Sequence, residues 1–279
     1  MDVQRLASFT RKGQGGNPAG VVLCDTLPDV DDMQDLAHDV GYSETVFAAP
    51  MADGRGRRTR YFAPQAEVPF CGHATIALGA ALGAAHGAGE YALVLNDTQI
   101  SVTAYQEDGV WGAQLTSPRT SHAPVPKDVL ADVLALFGLE PQDLDPAIPP
   151  AMVNGGAQHM VLALARHGML QAMQYEFSAG AKLMRSIGLV TINLIWRETA
   201  QRFHSRNAFA GHGVYEDPAT GAAAAALAGY LRDALGHDTP FEVMQGQEAG
   251  HPSRLCVAAH AGANAPVDVS GTVRHLSGR

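Results

Sequence analysis

CGHATIALGAALGAA (residues 71–85) and EDPATGAAAAALAGYL (residues 216–231) are the two stretches of this sequence that decide the fold. Each leads into a run that predicts a helix, residues 76–85 in the first and residues 222–231 in the second, and neither run carries a charge. A helix that is apolar on every side is buried on every side. Because the side chains are so small, a sheet can close tightly around such a helix. We therefore expect a curved sheet wrapped around a central helix, formed twice.

The two helices also begin in the same way, with a glycine among polar residues. Unused backbone N–H groups and the positive end of the helix dipole lie at a helix N-terminus. Such a terminus binds a carboxylate or a phosphate without a cationic side chain. The sequence therefore predicts two anion-binding helix starts, at Gly72 and at Gly221.

Length, charge and cysteine content narrow the class of protein. A chain of 279 residues predicts two domains. The net charge of -9 and the absence of a basic run argue against nucleic acid or an anionic membrane as a partner. The sequence shows neither a secretory signal nor a run long enough to cross a membrane. Three dispersed cysteines are typical of a reduced, cytoplasmic protein.

The order of predicted elements recurs along the chain. Each half runs through strands and an exposed helix to an alanine-rich helix, and then returns to strands. Residues 116–126 are polar and contain prolines, which predicts a linker. We expect a first barrel domain over residues 1–118 and a second over residues 119–264. A C-terminal strand, at about residues 265–279, is a candidate to return to the first domain.

Five motifs connect the chain to a known family. Over essentially its whole length the chain resembles the phenazine-biosynthesis isomerase family, in motif order: Gly16-Asn17-Pro18-Ala19-Gly20, Tyr42-Ser43-Glu44-Thr45, Glu67-Val68 with Cys71-Gly72-His73-Ala74-Thr75, Glu216-Asp217-Pro218-Ala219-Thr220-Gly221, and Gln245-Gly246 followed by Gly250 and Pro252-Ser253. The resemblance implies the α+β diaminopimelate-epimerase fold. In that fold each of two similar domains is a barrel-like, mainly antiparallel or mixed sheet around one helix, and the active site lies in the cleft between them.

The same resemblance implies a function. Its members are cofactor-free isomerases that move a proton on a small carboxylated ring, and the best-known member acts on trans-2,3-dihydro-3-hydroxyanthranilate. The glutamate of the Ser-Glu-Thr motif is the general acid/base, which here is Glu44. A homodimer in the cytoplasm is the family expectation. The residues that the resemblance places around the substrate are Asn17, Gly72, His73, Asp217 and Gly221.

Three positions depart from the family pattern. Ala222 stands at a substrate-contacting position where the family usually has serine, so one hydroxyl contact is missing or replaced. His251 occupies a common arginine position, and Pro69 replaces a frequent aspartate. These changes leave the expected fold intact but put the phenazine-pathway substrate in question.

The residues themselves allow both structural and chemical interpretations. Moving a proton needs one group that removes it and returns it elsewhere, and the carboxylate of Glu44 can do both. His73 is suited to a proton relay or a hydrogen bond at a helix start. Asp217 followed by Pro218 is also a favoured helix start, with aspartate as N-cap and proline at the first helical position.

Other chemistries are less well supported. The sequence has no H-E-x-x-H motif and shows no tight His/Cys/Asp cluster, so we expect no metal site. The glycine-rich residues 13–18 lack the third glycine of a dinucleotide loop, so we expect no nucleotide cofactor.

Two alternatives remain open. One is an amino-acid racemase or epimerase of the same fold that uses Cys71, although Asp217 stands where its partner thiol is expected. The other is a catalytically idle protein that binds a small carboxylate, an interpretation to which Ala222 lends support.

Overall fold

The computed structural model describes residues 1–276, and the chain divides into two units. Unit 1 comprises Met1–Thr116 together with the segment that begins at Ser270, and unit 2 comprises Ser117–Val269. The last residues of the predicted returning strand, 277–279, lie outside the described residues.

Each unit contains the same succession of elements. Those of unit 1 are β1 (Gln4–Ser8), β2 (Asn17–Leu23), α1 (Val30–Val40), β3 (Thr45–Pro50), β4 (Arg57–Ala63), β5 (Ala66–Val68), α2 (Gly72–His86), β6 (Gly89–Val94), β7 (Gln99–Glu107) and β8 (Val110–Thr116). Those of unit 2 are β9 (Ser121–Pro124), α3 (Lys127–Phe137), β10 (Ala151–Asn154), β11 (Gln158–Ala163), α4 (His167–Gln171), α5 (Phe177–Ser186), β12 (Thr191–Thr199), β13 (Arg202–Ala208), β14 (Glu216–Asp217), α6 (Gly221–Leu235), β15 (Phe241–Gln245) and β16 (Ser253–Ala259). The last strand, β17 (Val267–His275), begins in unit 2 and ends in unit 1.

The strands of unit 1 form a closed barrel. The pairs β1–β2, β3–β4, β6–β7 and β7–β8 are antiparallel, whereas β2–β3 and β4–β6 are parallel. The C-terminal part of β17 pairs with β1 on one side and with β8 on the other, which completes the ring. The sheet is therefore mixed and has no open edge between β1 and β8.

Unit 2 repeats this pattern strand for strand. The pairs β9–β10, β10–β11, β12–β13 and β15–β16 are antiparallel, whereas β11–β12 and β13–β15 are parallel. The chain before β9 meets the start of β17, because the backbone N–H of Ser117 donates to the carbonyl of Val267 at 2.8 Å. The predicted α+β fold, with two similar mixed sheets, is confirmed.

The two alanine-rich helices lie inside these sheets. Every residue of α2 from 74 to 83 is buried, as is every residue of α6 from 223 to 231. A Cβ added at Gly79 would approach the side chain of Val102 to 2.6 Å, and one at Gly229 would approach Thr120 Oγ1 to 2.3 Å. Small residues therefore let each sheet close on its helix. No helix within residues 1–276 is both long and apolar enough to span a membrane.

One predicted connection is itself part of a sheet. The expected linker at residues 116–126 contains β9, which pairs with β10 in register from Ser121↔Asn154 to Pro124↔Ala151. The side chains of β9 are exposed, which explains why its composition resembles that of a linker. Its backbone hydrogen bonds nevertheless make it a strand. The segment predicted as a linker therefore contains a strand of unit 2.

Candidate active site

Glu44 lies immediately before β3, where that strand begins to run parallel to β2. Its backbone carbonyl accepts a hydrogen bond from the N–H of Gly20 at 3.1 Å. A Cβ at Gly20 would lie 2.6 Å from Thr45 Oγ1, so glycine is needed for the two strands to approach this closely. The side chain of Glu44 is 21% exposed, but its Oε2 is shielded from solvent. The strand pairing thus fixes the backbone that presents this carboxylate.

The start of α2 brings a thiol and an imidazole to the same carboxylate. Cys71 is the N-cap, Gly72 is the first residue of the helix and His73 is the second. His73 Nε2 lies 3.3 Å from Glu44 Oε2 and 3.4 Å from Ser43 Oγ. Cys71 Sγ lies 3.3 Å from His73 Nδ1. Three chemically active side chains therefore meet at one helix start.

Buried hydrogen bonds hold this helix start against the barrel. Thr75 Oγ1 donates to the carbonyl of Cys71 at 2.7 Å and also shares a 2.7 Å hydrogen bond with the hydroxyl of Tyr61 on β4. Burial raises the pKa of Tyr61, which keeps the phenol neutral. The N-cap is thereby tied to the strand that follows Glu44 and β3.

Asn17 is placed by the neighbouring strands. It is the buried first residue of β2 and is the pairing partner of Ser8 on β1. The hydroxyl of Ser8 donates to the backbone carbonyl of His73 at 2.6 Å. Asn17 and the start of α2 are therefore both fixed by Ser8.

The start of α6 is arranged differently. Thr220 is the N-cap, Gly221 is the first helical residue and Ala222 is the second. Asp217 lies earlier, in β14, and its Oδ2 accepts a 2.6 Å hydrogen bond from the hydroxyl of Thr220. The interpretation of Asp217 as the N-cap was therefore wrong, because two further residues separate it from Thr220 and the helix begins only at Gly221.

Gln245 and Gly246 belong to one of the five sequence motifs, but no role was predicted for them. Gln245 is buried, and its Nε2 donates to the carbonyl of Asp217 at 2.7 Å while its Oε1 accepts from the N–H of Thr220 at 3.2 Å. Gly246 has a φ of +73°, and a Cβ there would lie 2.6 Å from the carbonyl oxygen of Pro218. This loop braces the second helix start, a tertiary role that no local pattern reveals.

An arginine–glutamate pair supports the short strand before each motif. In unit 1, Arg60 Nε on β4 donates to Glu67 Oε1 on β5 at 2.8 Å, and this contact holds the pKa of Glu67 below its usual range. In unit 2, Arg206 Nε on β13 donates to Glu216 Oε1 on β14 at 3.0 Å. The first pair is partly exposed and the second is buried. The duplication therefore extends from the fold to individual side chains.

The three side chains at the first helix start also form a group that the sequence did not show. Within residues 1–276, ligand atoms of Glu44, Cys71 and His73 all lie within 4.8 Å of one another. The sequence does not show this group, because it forms only when the chain folds. Glu44 is distant in sequence from the other two, and only the pairing of β2, β3 and β4 brings it to them.

A duplicated mixed barrel around an apolar helix defines an epimerase-like fold. The chain belongs to the phenazine biosynthesis-like protein family, whose model matches residues 6–276. An uncharacterized isomerase of Deinococcus radiodurans is 31% identical over 262 residues, which cover 90% of this chain and 84% of the relative. A trans-2,3-dihydro-3-hydroxyanthranilate isomerase of Pseudomonas fluorescens is 29% identical over 265 residues, which cover 92% and 90%.

A solved structure shows the same fold. The crystal structure of a phenazine biosynthesis protein from Bacillus anthracis aligns with a TM-score of 0.86 at 23% identity, covering 99% of this chain and 96% of the other. At that identity the likeness concerns the fold alone. Together with the named relatives, the family match confirms the prediction that the chain is an isomerase.

Proposed function

We propose that this chain is a cofactor-independent isomerase that moves a proton within a small carboxylated, cyclic substrate, with Glu44 as general acid/base. The contact between Glu44 and His73 carries the proposal. Glu44 Oε2 is shielded from solvent and lies 3.3 Å from His73 Nε2. Within residues 1–276 this oxygen has no hydrogen-bond partner, so its lone pairs are available to accept a proton, and it has little competition from water.

The reaction needs no electron acceptor. A C–H bond of the ring breaks, its proton forms an O–H bond with the carboxylate of Glu44, and the electron pair moves into the conjugated system of the substrate. Glu44 then returns the proton to a second ring carbon, where the pair forms the new C–H bond. Substrate and product are isomers, so atoms and electrons balance without a cofactor.

The start of α2 offers a binding site for the carboxylate of the substrate. The first N–H group with a partner within the helix is that of Thr75, which donates to the carbonyl of Cys71 at 3.0 Å. The N–H groups of Gly72 and His73 therefore precede the hydrogen-bonded ladder of the helix, and the helix dipole favours an anion there. Asp217, Gly221 and Ala222, at the other helix start, are proposed as further substrate contacts.

Deuterium exchange tests the proposal. The first candidate is trans-2,3-dihydro-3-hydroxyanthranilate, because a relative bears that name. The substrate is incubated in D2O with the wild type and with Glu44→Gln, and deuterium at carbon is followed by NMR. We expect Glu44→Gln to slow exchange by about 10²–10⁴-fold.

A matched control uses the other glutamate–histidine pair. Glu198 Oε2 lies 2.9 Å from His204 Nε2, on the surface of unit 2. The Glu198→Gln variant should catalyse deuterium exchange into the substrate at the wild-type rate. Wild-type exchange by a folded Glu44→Gln protein would contradict the proposal.

Cys71 favours a second candidate, an amino-acid racemase or epimerase. A thiol at a helix N-terminus beside an imidazole is well placed to act as a thiolate. The N-cap of α6 is Thr220, whose hydroxyl bonds to Asp217, so the second motif offers no thiol for a two-cysteine mechanism. Loss of amino-acid racemisation in Cys71→Ala would support this candidate, whereas unchanged activity would remove it. Binding of carboxylates without deuterium exchange into any of them would indicate a catalytically idle binding protein.

A further inference from the structure

The group formed by Glu44, Cys71 and His73 combines three kinds of metal ligand. Their side chains present a carboxylate oxygen, a thiol sulfur and an imidazole nitrogen, and within residues 1–276 it is the only such group of three. The cysteine and histidine both belong to the rigid start of α2, and the glutamate is held by the strand pairing around β3. The ligands are therefore positioned before any ion binds.

The distances fit a tetrahedral ion. Zinc forms bonds of about 2.0–2.1 Å to nitrogen and oxygen and about 2.3 Å to sulfur, so neighbouring N and O ligands lie about 3.3 Å apart and N and S ligands about 3.5 Å apart. The distance from His73 Nε2 to Glu44 Oε2 is 3.3 Å, and Cys71 Sγ lies 3.9 Å from the same nitrogen. The Sγ–Nε2 distance exceeds the tetrahedral value by about 0.4 Å, and the ligand atoms of the three side chains all lie within 4.8 Å of one another.

The chemical types of the three ligands also favour one kind of metal ion. A thiolate with an imidazole and a carboxylate suits zinc, whereas magnesium and calcium prefer oxygen ligands alone. Thiolate and carboxylate together offer two negative charges to a divalent ion. The positive end of the helix dipole opposes a cation only weakly. Three protein ligands leave a fourth position open to water or to a substrate.

We propose that Glu44 Oε2, Cys71 Sγ and a ring nitrogen of His73 bind one zinc ion, and that the bound ion inhibits the enzyme. The inhibition rests on the proposed function, because zinc occupies the carboxylate that has to accept the proton. The ion is thus an inhibitor of the isomerase and takes no part in its reaction. Zinc binding itself is independent of what the enzyme acts on.

Cobalt is the probe for binding, because a Co²⁺–thiolate bond absorbs in the near ultraviolet. We expect the metal-free wild type to bind one Co²⁺ per chain with this absorption and to release it when Zn²⁺ is added. Cys71→Ser should lose the band, and its zinc affinity, measured against a chromophoric chelator, should fall by at least about 10-fold. His73→Gln should weaken zinc binding to a similar extent.

Two variants control for unspecific binding. Cys24→Ser removes a thiol elsewhere in unit 1, where Sγ lies 3.6 Å from the carbonyl oxygen of Ala48. His204→Gln breaks the surface histidine–glutamate pair of unit 2. Both should keep wild-type zinc affinity. Absence of the cobalt band in the wild type, or equal zinc affinity in Cys71→Ser and the wild type, would overturn the site.

Inhibition is tested separately, with each variant compared with its own zinc-free rate of deuterium exchange. Zinc should stop exchange by the wild type, and a chelator should restore it. In Cys71→Ser the zinc concentration for half inhibition should rise by at least about 10-fold. Full exchange by a zinc-loaded wild type would overturn the inhibition. Unchanged exchange in Glu44→Gln would instead refute the proposed function, and the cobalt result would stand.

Discussion

The starts of α2 and α6 occupy equivalent positions in the two units, but they carry different side chains. The N-cap is Cys71 in α2 and Thr220 in α6, and the second helical residue is His73 in α2 and Ala222 in α6. Around α2 the polar side chains contact a carboxylate from another part of the unit. One fold position thus carries reactive groups in one copy and a methyl group in the other.

The second helix start directs its polar groups to one another. Hydrogen bonds join Thr220 to Asp217 and Gln245, and Gln245 to the backbone of Asp217. The comparison teaches that duplication of the fold does not duplicate the chemistry. In the proposed mechanism, proton transfer belongs to unit 1, and the second helix start serves binding.

The largest predicted effect on stability concerns the arginine–glutamate pair of each unit. Glu216→Gln should lower the free energy of unfolding by about 3–5 kcal/mol, because it removes the carboxylate that pairs directly with the buried guanidinium of Arg206. Glu67→Gln should cost less than about 1 kcal/mol, because its pair with Arg60 is partly exposed. Urea unfolding measures both. Equal losses of unfolding free energy in the two variants would contradict this prediction, which rests on the different burial of the two pairs.

Acid should destabilise unit 2 through the buried histidine His159. His159 bonds to Thr191 Oγ1 at 2.8 Å, and burial lowers its pKa to about 3. The unfolded chain takes up a proton near pH 6.5, whereas the folded one excludes it. The free energy of unfolding should therefore fall by about 1.4 kcal/mol per pH unit below about pH 6.5 and level off near pH 3.

Urea unfolding of wild type and His159→Gln, at pH 7 and at pH 5, measures this effect. The wild type should lose about 2 kcal/mol more than the variant over that interval. Glutamine keeps a polar partner for Thr191, so the variant remains comparable at pH 7. Identical losses would mean that His159 is not the titrating group.

The smallest predicted effect concerns the methyl group at the second helix start. Ala222→Ser restores the hydroxyl that the resembled family usually has, and one added hydrogen bond of about 0.5–1 kcal/mol should lower KM by about 2–5-fold. Ala234→Ser, at the exposed C-terminal end of the same helix, should leave KM unchanged. A larger effect of Ala234→Ser than of Ala222→Ser would remove Ala222 from the proposed binding residues.

Much of the fold could be predicted from the two alanine-rich runs, because a chargeless helix of small residues has to be enclosed by a sheet. The strand β9 could not, because its residues are polar and exposed and only its backbone pairs with β10. The N-cap at Thr220 was missed for a similar reason. Asp217 and Pro218 form a favourable local start, but the bonds from Gln245 hold these residues before the start of the helix.

The candidate site was predicted only in its parts. Glu44 and His73 both came from the resemblance, and the place of His73 at a helix start supported its assignment. The contact between Glu44 and His73 depends on strand pairing between segments far apart in sequence, whereas Cys71 and His73 are near neighbours at one helix start. The roles of Glu44, Asn17, Gly72, His73, Asp217, Gly221 and Ala222 remain predictions.

The central claim is that proton transfer depends on Glu44 and that the acidic residue at the other helix start only helps to bind. Deuterium exchange at saturating substrate, with Glu44→Gln and Asp217→Asn side by side, tests it most directly. The account predicts that Glu44→Gln loses about 10²–10⁴-fold in the rate at saturation, while Asp217→Asn stays within about 10-fold of the wild type. An equal or larger loss in Asp217→Asn, or wild-type exchange by Glu44→Gln, would contradict it.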